Sequence, residues 1–223
     1  DDQIGIFIVP DFGGGNGIQI QGLDSEYTLL LVDGYPIIGR QSGTLDLDRI
    51  AVGNIEKIEI IKGSSSSLYG TDAIGGVVNL ITAKTDQPFS LNSNYKISSF
   101  NTNDFSVNIG NISEKGHNLN AFLNFFNSNG YDLDETDILN TVEPFKNLTA
   151  FLRHNYDYKD LSFFSSFRFF REDQEFRLNE NIYGNNIINE SNFNTSVSLN
   201  KFDRLSFVLD NYFTRYKSEE NFS

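Results

Sequence analysis

Hydrophobic and polar positions follow two different rules along this chain, and the change comes near Pro88. Beyond it, apolar and polar residues alternate in long segments separated by clusters of Asn, Asp, Glu and Gly. Phe105, Val107 and Ile109 alternate with Ser106, Asn108 and Gly110. Leu91, Tyr95 and Ile97 stand against Asn92, Asn94 and Lys96, and Phe193, Val197 and Leu199 against Asn194, Ser196, Ser198 and Asn200. The same alternation, with more mixed second faces, recurs in Ala121, Leu123 and Phe125, in Leu148, Ala150 and Leu152, in Phe167 and Phe169, and in Leu205, Phe207 and Leu209. A period of two sends successive side chains to opposite faces of a strand. The pattern therefore predicts roughly seven strands, greasy on one face and wet on the other, each near the roughly 10 residues that cross a bilayer at a tilt.

Residues 1 to 84 follow the other rule. Short apolar runs, Ile4 to Val9, Ile18 to Ile20, Tyr27 to Val32, Ile55 to Ile61 and Val77 to Ile81, are broken by turns. Runs of about four to eight such residues predict strands buried on both faces. Between them lie Gly13-Gly14-Gly15-Asn16-Gly17, the turn signal Asp33-Gly34, and a Gly63 to Gly76 segment whose middle is expected to form a short helix. The fold class expected is mainly β: a small α+β domain over residues 1–84, then antiparallel strands of a transmembrane β-barrel over 85–223.

Composition narrows the functions open to such a chain. A formal net charge of −13, from 30 acidic against 17 basic residues, repels phosphate backbones and excludes a nucleic-acid binder. There are 21 Phe and 10 Tyr, enough aromatic surface to rule out a disordered chain. Cysteine is absent, which removes disulfides and thiolate metal sites. No run approaches the ~20 apolar residues of a spanning helix. A spanning barrel stays open, because its alternation hides from hydropathy averages. The rival for the alternating region is a soluble β-sandwich, whose inner face is also apolar. The run Asp160 to Glu175 is long for a sandwich, and the wet faces are dominated by Asn and Ser. Aromatics near strand ends, at Tyr95 and Phe100, Tyr156 and Tyr158, and Tyr212 and Tyr216, are expected to form interfacial girdles.

The segment Ile18 to Lys84 resembles the plug of TonB-dependent outer-membrane receptors. Ile18-Gln19-Ile20-Gln21-Gly22 is similar to the family's I-x-I-R-G strand and turn, and Leu29-Leu30-Leu31-Val32-Asp33-Gly34-Tyr35-Pro36 to its strand ending in Asp-Gly. Ile55 to Gly63, carrying Glu56 and Glu59, followed by Ser67-Leu68-Tyr69-Gly70-Thr71-Asp72-Ala73-Ile74-Gly75-Gly76-Val77-Val78-Asn79, resembles the remaining signature. Gln21 stands where the family usually has Arg, and Lys62-Gly63-Ser64 where Arg-Gly-Pro is common. The run Ser42 to Ile50, together with the Ser67 to Thr82 signature, is most similar to the cobalamin, haem and catechol-siderophore branch.

The resemblance implies active import of a scarce nutrient, an iron-siderophore, haem or cobalamin, across the outer membrane of a Gram-negative bacterium. TonB would supply energy through a contact region outside this chain, and membrane lipid or lipopolysaccharide would surround the barrel. A family barrel has about 22 strands, and seven cannot close, so the polypeptide is expected to continue. Family topology puts ligand contacts on Gly34 to Ser42, with Tyr35, Ile37, Arg40, Gln41 and Ser42 as candidates, and on Asp11 to Gly17. The alternatives are a passive or adhesive barrel, which would lack a plug, and a soluble sandwich module.

Other chemistry has thinner support. Asp132, Asp134, Glu135 and Asp137 crowd one loop, an oxygen-rich set that could hold Ca²⁺ or simply be a solvated acidic loop. The loop resembles the acidic loop of cobalamin receptors. His117 and His154 each stand isolated along the chain, with no second ligand adjacent, so haem ligation by them is not expected. The Gly-rich segments lack the spacing of a dinucleotide fingerprint or P-loop. No nucleophile–base arrangement is evident, and the chain is not expected to be an enzyme.

Overall fold

A computed structural model describes residues 5–10, 16–38, 47, 50–63, 70, 73–133, 140–179, 182–202 and 205–222. The chain divides into two compact units, Asp1–Ala83 and Lys84–Ser223. In the first unit, β1 (Ile6–Pro10) and β2 (Asn16–Ile20) form an antiparallel pair. A four-stranded sheet is built from β3 (Thr28–Val32), β4 (Tyr35–Pro36), β5 (Ile55–Ile61) and β6 (Gly76–Thr82), in the order β4-β3-β6-β5. Its two central strands, β3 and β6, run parallel, Thr28 opposite Gly76 through Val32 opposite Leu80. Strands covered on both faces read as unbroken apolar runs, as Leu29-Leu30-Leu31-Val32 and Val77-Val78 do.

The two faces of these strands feed two cores. Leu30, Val78 and Leu80 pack with Ile20 and Ile37 on one side, and Leu29, Leu31 and Val77 with Ala73 on the other. Full burial of each such side chain stabilises by about 1.5–3 kcal/mol. Gly76 is obligatory at the start of β6: its φ is +147°, and a Cβ there would lie 2.9 Å from both an Ile20 methyl and the Ile61 carbonyl oxygen.

Not every run of the first unit is buried on both sides. Strand β5 is at the sheet edge, a bulge interrupts its pairing between Ile55 and Lys57, and Ile58 is 58% exposed beside Glu56 and Lys57. Phe7 and Ile8 of β1 are likewise exposed, because their strand has a single neighbour. Two 3-10 turns, Ser25–Tyr27 and Val52–Asn54, are described in full, and Leu47, Gly63 and Ala73 also have 3-10 conformation. The middle of the Gly63 to Gly76 segment lies outside the described residues.

The second unit is one antiparallel sheet of consecutive neighbours: β7 (Phe89–Ser98), β8 (Thr102–Ile112), β9 (His117–Ser128), β10 (Phe145–Tyr158), β11 (Leu161–Asn179), β12 (Ile182–Phe202) and β13 (Leu205–Phe222). Among the described residues seven strands follow where roughly seven were expected. Cross-strand pairing aligns Leu91, Ile109, Ala121, Leu152, Phe167, Phe193 and Phe213 in one apolar row. On the opposite face the matching row reads Ser90, Gly110, Asn120, Arg153, Ser166, Asn194 and Tyr212.

Burial is the reverse of that in a water-soluble sheet. Asn120, Asn124, Asn147, Arg153, Ser166, Arg168, Glu172 and Glu190 are buried, while Leu91, Ile97, Leu123, Phe125, Leu152, Phe167, Phe193 and Phe213 are exposed. So broad an uncovered apolar face has to meet an apolar surrounding, which removes the soluble sandwich. Tyr212 and Tyr216 do not join a girdle. They pair with Asn194 and Glu190 on the polar face, as their even-numbered positions require once Phe207, Leu209 and Phe213 occupy the other.

Candidate functional site

The Asp33-Gly34 signature forms the two-residue turn between β3 and β4, with φ of +50° and +85°. Positive φ at both central positions is the hairpin geometry that Asp-Gly adopts readily. Asp33 does more than turn the chain. Its carboxylate accepts the backbone N–H of Thr82 at 3.0 Å and the Thr82 hydroxyl at 2.7 Å, while Asn79 Oδ1 accepts the Gly34 N–H at 2.9 Å. The hairpin is thereby fixed to β6 across an interval of 49 residues. Gly75 adds a further tie by donating its N–H to the Tyr27 carbonyl at 2.8 Å.

Directly after this turn stand the residues expected to meet ligand. Tyr35 is half-buried, and Ile37 is buried within the Leu30–Val78 core, its N–H donating to the Leu30 carbonyl at 3.1 Å. In this structure Ile37 packs the core and holds the segment in place. Arg40, Gln41 and Ser42 lie outside the described residues, as do Asp11 to Gly15 and the signature residue Tyr69. Of the signature charges, Glu56 and Glu59 lie on the edge strand, where Glu59 is paired with Lys57 at 2.7 Å. The Lys57 ammonium beside it holds the Glu59 carboxyl below the usual carboxylate range. Gly63 and Gly70 both adopt positive φ.

Of the acidic loop, only Asp132 is described, and it accepts the Thr141 hydroxyl at 3.4 Å; Asp134, Glu135 and Asp137 lie outside the described residues. Among the described residues no group of three or more His, Asp or Glu is placed to hold a metal. The histidines are not isolated. Pairing of β9 with β10 sets His117 opposite Tyr156 and His154 opposite Leu119, and His117 Nδ1 lies 3.0 Å from His154 Nε2. Tyr156 stacks on His117 with ring centroids 4.3 Å apart. The pair is separated by 37 residues in the chain, so nothing local in the sequence announces it.

The polar face of the second unit carries its densest chemistry at mid-sheet. Arg168 Nη1 lies 2.9 Å from Glu190 Oε2, with both side chains buried, and the guanidinium stands 5.5 Å from the centre of the Phe170 ring. Arg153 donates from Nε to Asn155 Oδ1 at 2.9 Å. Asn194 donates to the Ser166 hydroxyl at 3.0 Å, and Asn124 to Asp104 at 2.7 Å. The Asn120, Asn147 and Asn194 side-chain oxygens are buried without a partner among the described residues, acceptors that a polar solute can use. Alternation marked these positions as polar, but not which of them would be paired.

A cavity of about 750 Å³ opens where the β9–β10 connection meets the far ends of β11 and β12, lined by Asn127, Asn140, Glu143, Lys146, Asp173 and Arg177 among others. Asn185 donates to Asp173 at 2.9 Å and Asn140 to Glu143 at 2.7 Å, so its wall is a set of hydrogen-bonding and charged groups. No local pattern announces it, since the lining residues come from separate hairpins.

Comparison with known proteins agrees with this geometry. Residues 4–77 match the family model described as TonB-dependent Receptor Plug Domain. The vitamin B12 transporter BtuB of Vibrio cholerae is 28% identical over 215 residues, covering 92% of this chain and 32% of that protein. The iron-regulated outer membrane virulence protein of the same species is 47% identical over 89 residues, 36% of this chain and 14% of that protein. Among solved structures, the ferric enterobactin receptor of Pseudomonas aeruginosa superposes with a TM-score of 0.75 at 18% identity, over 96% of this chain and 37% of that one. The ferric citrate transporter FecA superposes with a TM-score of 0.73 at 18% identity, over 97% and 36%. These structures share the fold. The chain spans about a third of the length of the curated relatives that it matches along most of its length.

Proposed function

We infer that this chain, a TonB-dependent receptor plug followed by the first strands of its barrel, serves energy-dependent import of a scarce nutrient across the outer membrane of a Gram-negative bacterium. The observation that carries the reading is the sequence of two units with opposite burial: a water-soluble-type core, then a sheet with its apolar face outward and its polar face covered. A plug would block passive flow, and the polar face, rich in Asn acceptors and buried charge, suits the wall of a solute path. The names of a relative and of structural neighbours support cobalamin and ferric complexes as the substrate class, and the name of the matching family model supports TonB as the energy-coupling partner. A passive barrel has no use for the 4–77 domain.

Uptake of labelled cobalamin, haem and ferric siderophores by cells carrying the full-length receptor, with and without TonB, tests the reading. Accumulation of one substrate only when TonB is present is the expected result; uptake indifferent to TonB would replace the importer with a passive barrel. Within the site, Tyr35→Ala together with Arg40→Ala is expected to weaken ligand binding in the full receptor. Unchanged affinity would remove the Gly34 to Ser42 segment from the binding face.

A further inference from the structure

The chain has two histidines, and the β9–β10 register brings both to the strand ends nearest the turns 113–116 and 159–160. His117 is opposite Tyr156 and His154 opposite Leu119, so the two are diagonal neighbours on one face of the sheet. Diagonal partners lie about 7–8 Å apart at Cα, within reach of long or ring-bearing side chains. The ring centres are 5.3 Å apart and the ring planes 18° from parallel, while His117 Nδ1 and His154 Nε2 are 3.0 Å apart. The difference is what two ring radii take up. The rings therefore meet edge to edge, with the in-plane lone pairs of the two nitrogens aimed into the same gap. Tyr156 covers His117 at 4.3 Å between ring centroids, and Phe163 leans on His154 at 5.6 Å. Both imidazoles are half-buried, beside the exposed turn residues 114–116.

Two neutral imidazoles hold this geometry when one donates its N–H across the gap to the other. A metal ion can take the place of that proton. Metal–nitrogen bonds of about 2.0–2.1 Å at a tetrahedral angle set two ligand nitrogens about 3.3 Å apart. That is a few tenths of an ångström wider than the gap found, and it is reached by swinging each ring toward the ion. The gap proton leaves to water and one returns to the far nitrogen of the same ring, so both rings bind in the neutral form that coordination requires. Imidazole nitrogen suits Zn²⁺, Cu²⁺ and Ni²⁺, whereas Ca²⁺ and Mg²⁺ take oxygen ligands. Among the described residues no third His, Asp or Glu joins the pair, so the remaining positions fall to water, which the exposed turn admits.

We propose that His117 and His154 form a bridging site for a zinc-class divalent ion that clips β9 to β10. The two strands are connected at their other end through residues 129–144, so the ion ties the unconnected ends of the pair across 37 residues of chain. Closing a long loop restrains the unfolded chain, and an ion that binds the folded form stabilises it. The site rests on the β9–β10 register and is independent of which nutrient, if any, the receptor imports.

Calorimetric titration of Zn²⁺ into the full-length receptor in detergent micelles, with excess Ca²⁺ present as a competitor, tests the site. Zn²⁺ is expected to bind despite the Ca²⁺, and His117→Gln and His154→Gln are each expected to weaken it by about tenfold or more. The double variant should be little weaker than either single one, because removal of one ligand already opens the bridge. In the unaltered receptor Zn²⁺ is expected to slow amide exchange at residues 117–119 and 154–156, and EDTA to restore it; this readout needs no variant. Zn²⁺ affinity unchanged in either single variant would overturn the bridge, since the ion would then sit elsewhere or on one histidine alone. Amide exchange in β9 and β10 indifferent to Zn²⁺ would overturn it as well.

Discussion

Leu31 in the first unit is 1% exposed and Phe167 in the second is 42% exposed, yet each is the kind of side chain its sheet uses to hold itself in place. In the first unit, strands β3 and β6 carry apolar residues on both faces, and two clusters close over them. In the second, the polar face is the covered one: Glu190 is 0% exposed and Arg168 6%, while a row of seven apolar residues from Leu91 to Phe213 crosses the other face. Alternation says which residues share a face. It does not say which face is inside; the surrounding medium decides that.

Substitutions in the full-length protein test this contrast. Glu190→Ala leaves Arg168 buried beside an empty site, and loss of one partner of a buried pair is expected to destabilise by about 3–5 kcal/mol. Urea titration in lipid vesicles reads the loss. The double variant Glu190→Leu, Arg168→Met should recover most of it; failure to recover would mean that the pair serves more than local charge balance.

Next comes a matched comparison of two exposed apolar residues. Phe167→Arg, in the middle of the apolar row, is expected to cost about 2–4 kcal/mol. Ile58→Arg on the edge strand β5, although more exposed, is expected to stay within about 0.5 kcal/mol. Similar values for both, measured by the same titration, would break the distinction between the two surfaces.

A loss smaller than those at Glu190 and Phe167 is expected for Asp33→Asn. The amide keeps one acceptor for Thr82 and loses the other, with a loss of about 1.5–3 kcal/mol for a charge-assisted bond. It should be visible as faster amide exchange in β6 while β9 to β12 remain protected. Uniform loosening of both units would contradict the local role of the turn.

Much of this molecule is legible in its residues. The seven alternating segments became seven strands because a period of two permits little else, and Asp33-Gly34 became the β3–β4 turn because few residues accept positive φ twice in succession. The parity of β13 also settled Tyr212 and Tyr216, which strand-end position alone had suggested as girdle residues. Ile58 escaped the pattern because a bulge after Ile55 shifts which side chains face the core. Ile37, expected beside a ligand, is drawn into the first core by the backbone bond to Leu30.

The sequence by itself determined which side chains share a face, where the chain turns, and the plug signature in its order, because these depend on neighbours a few residues apart. Only the tertiary structure decided which residues meet. His117 and His154 touch, and Arg168 pairs with Glu190. Those meetings depend on register, which turn length and pairing fix across whole hairpins, and a shift of one residue would carry each side chain to the opposite face.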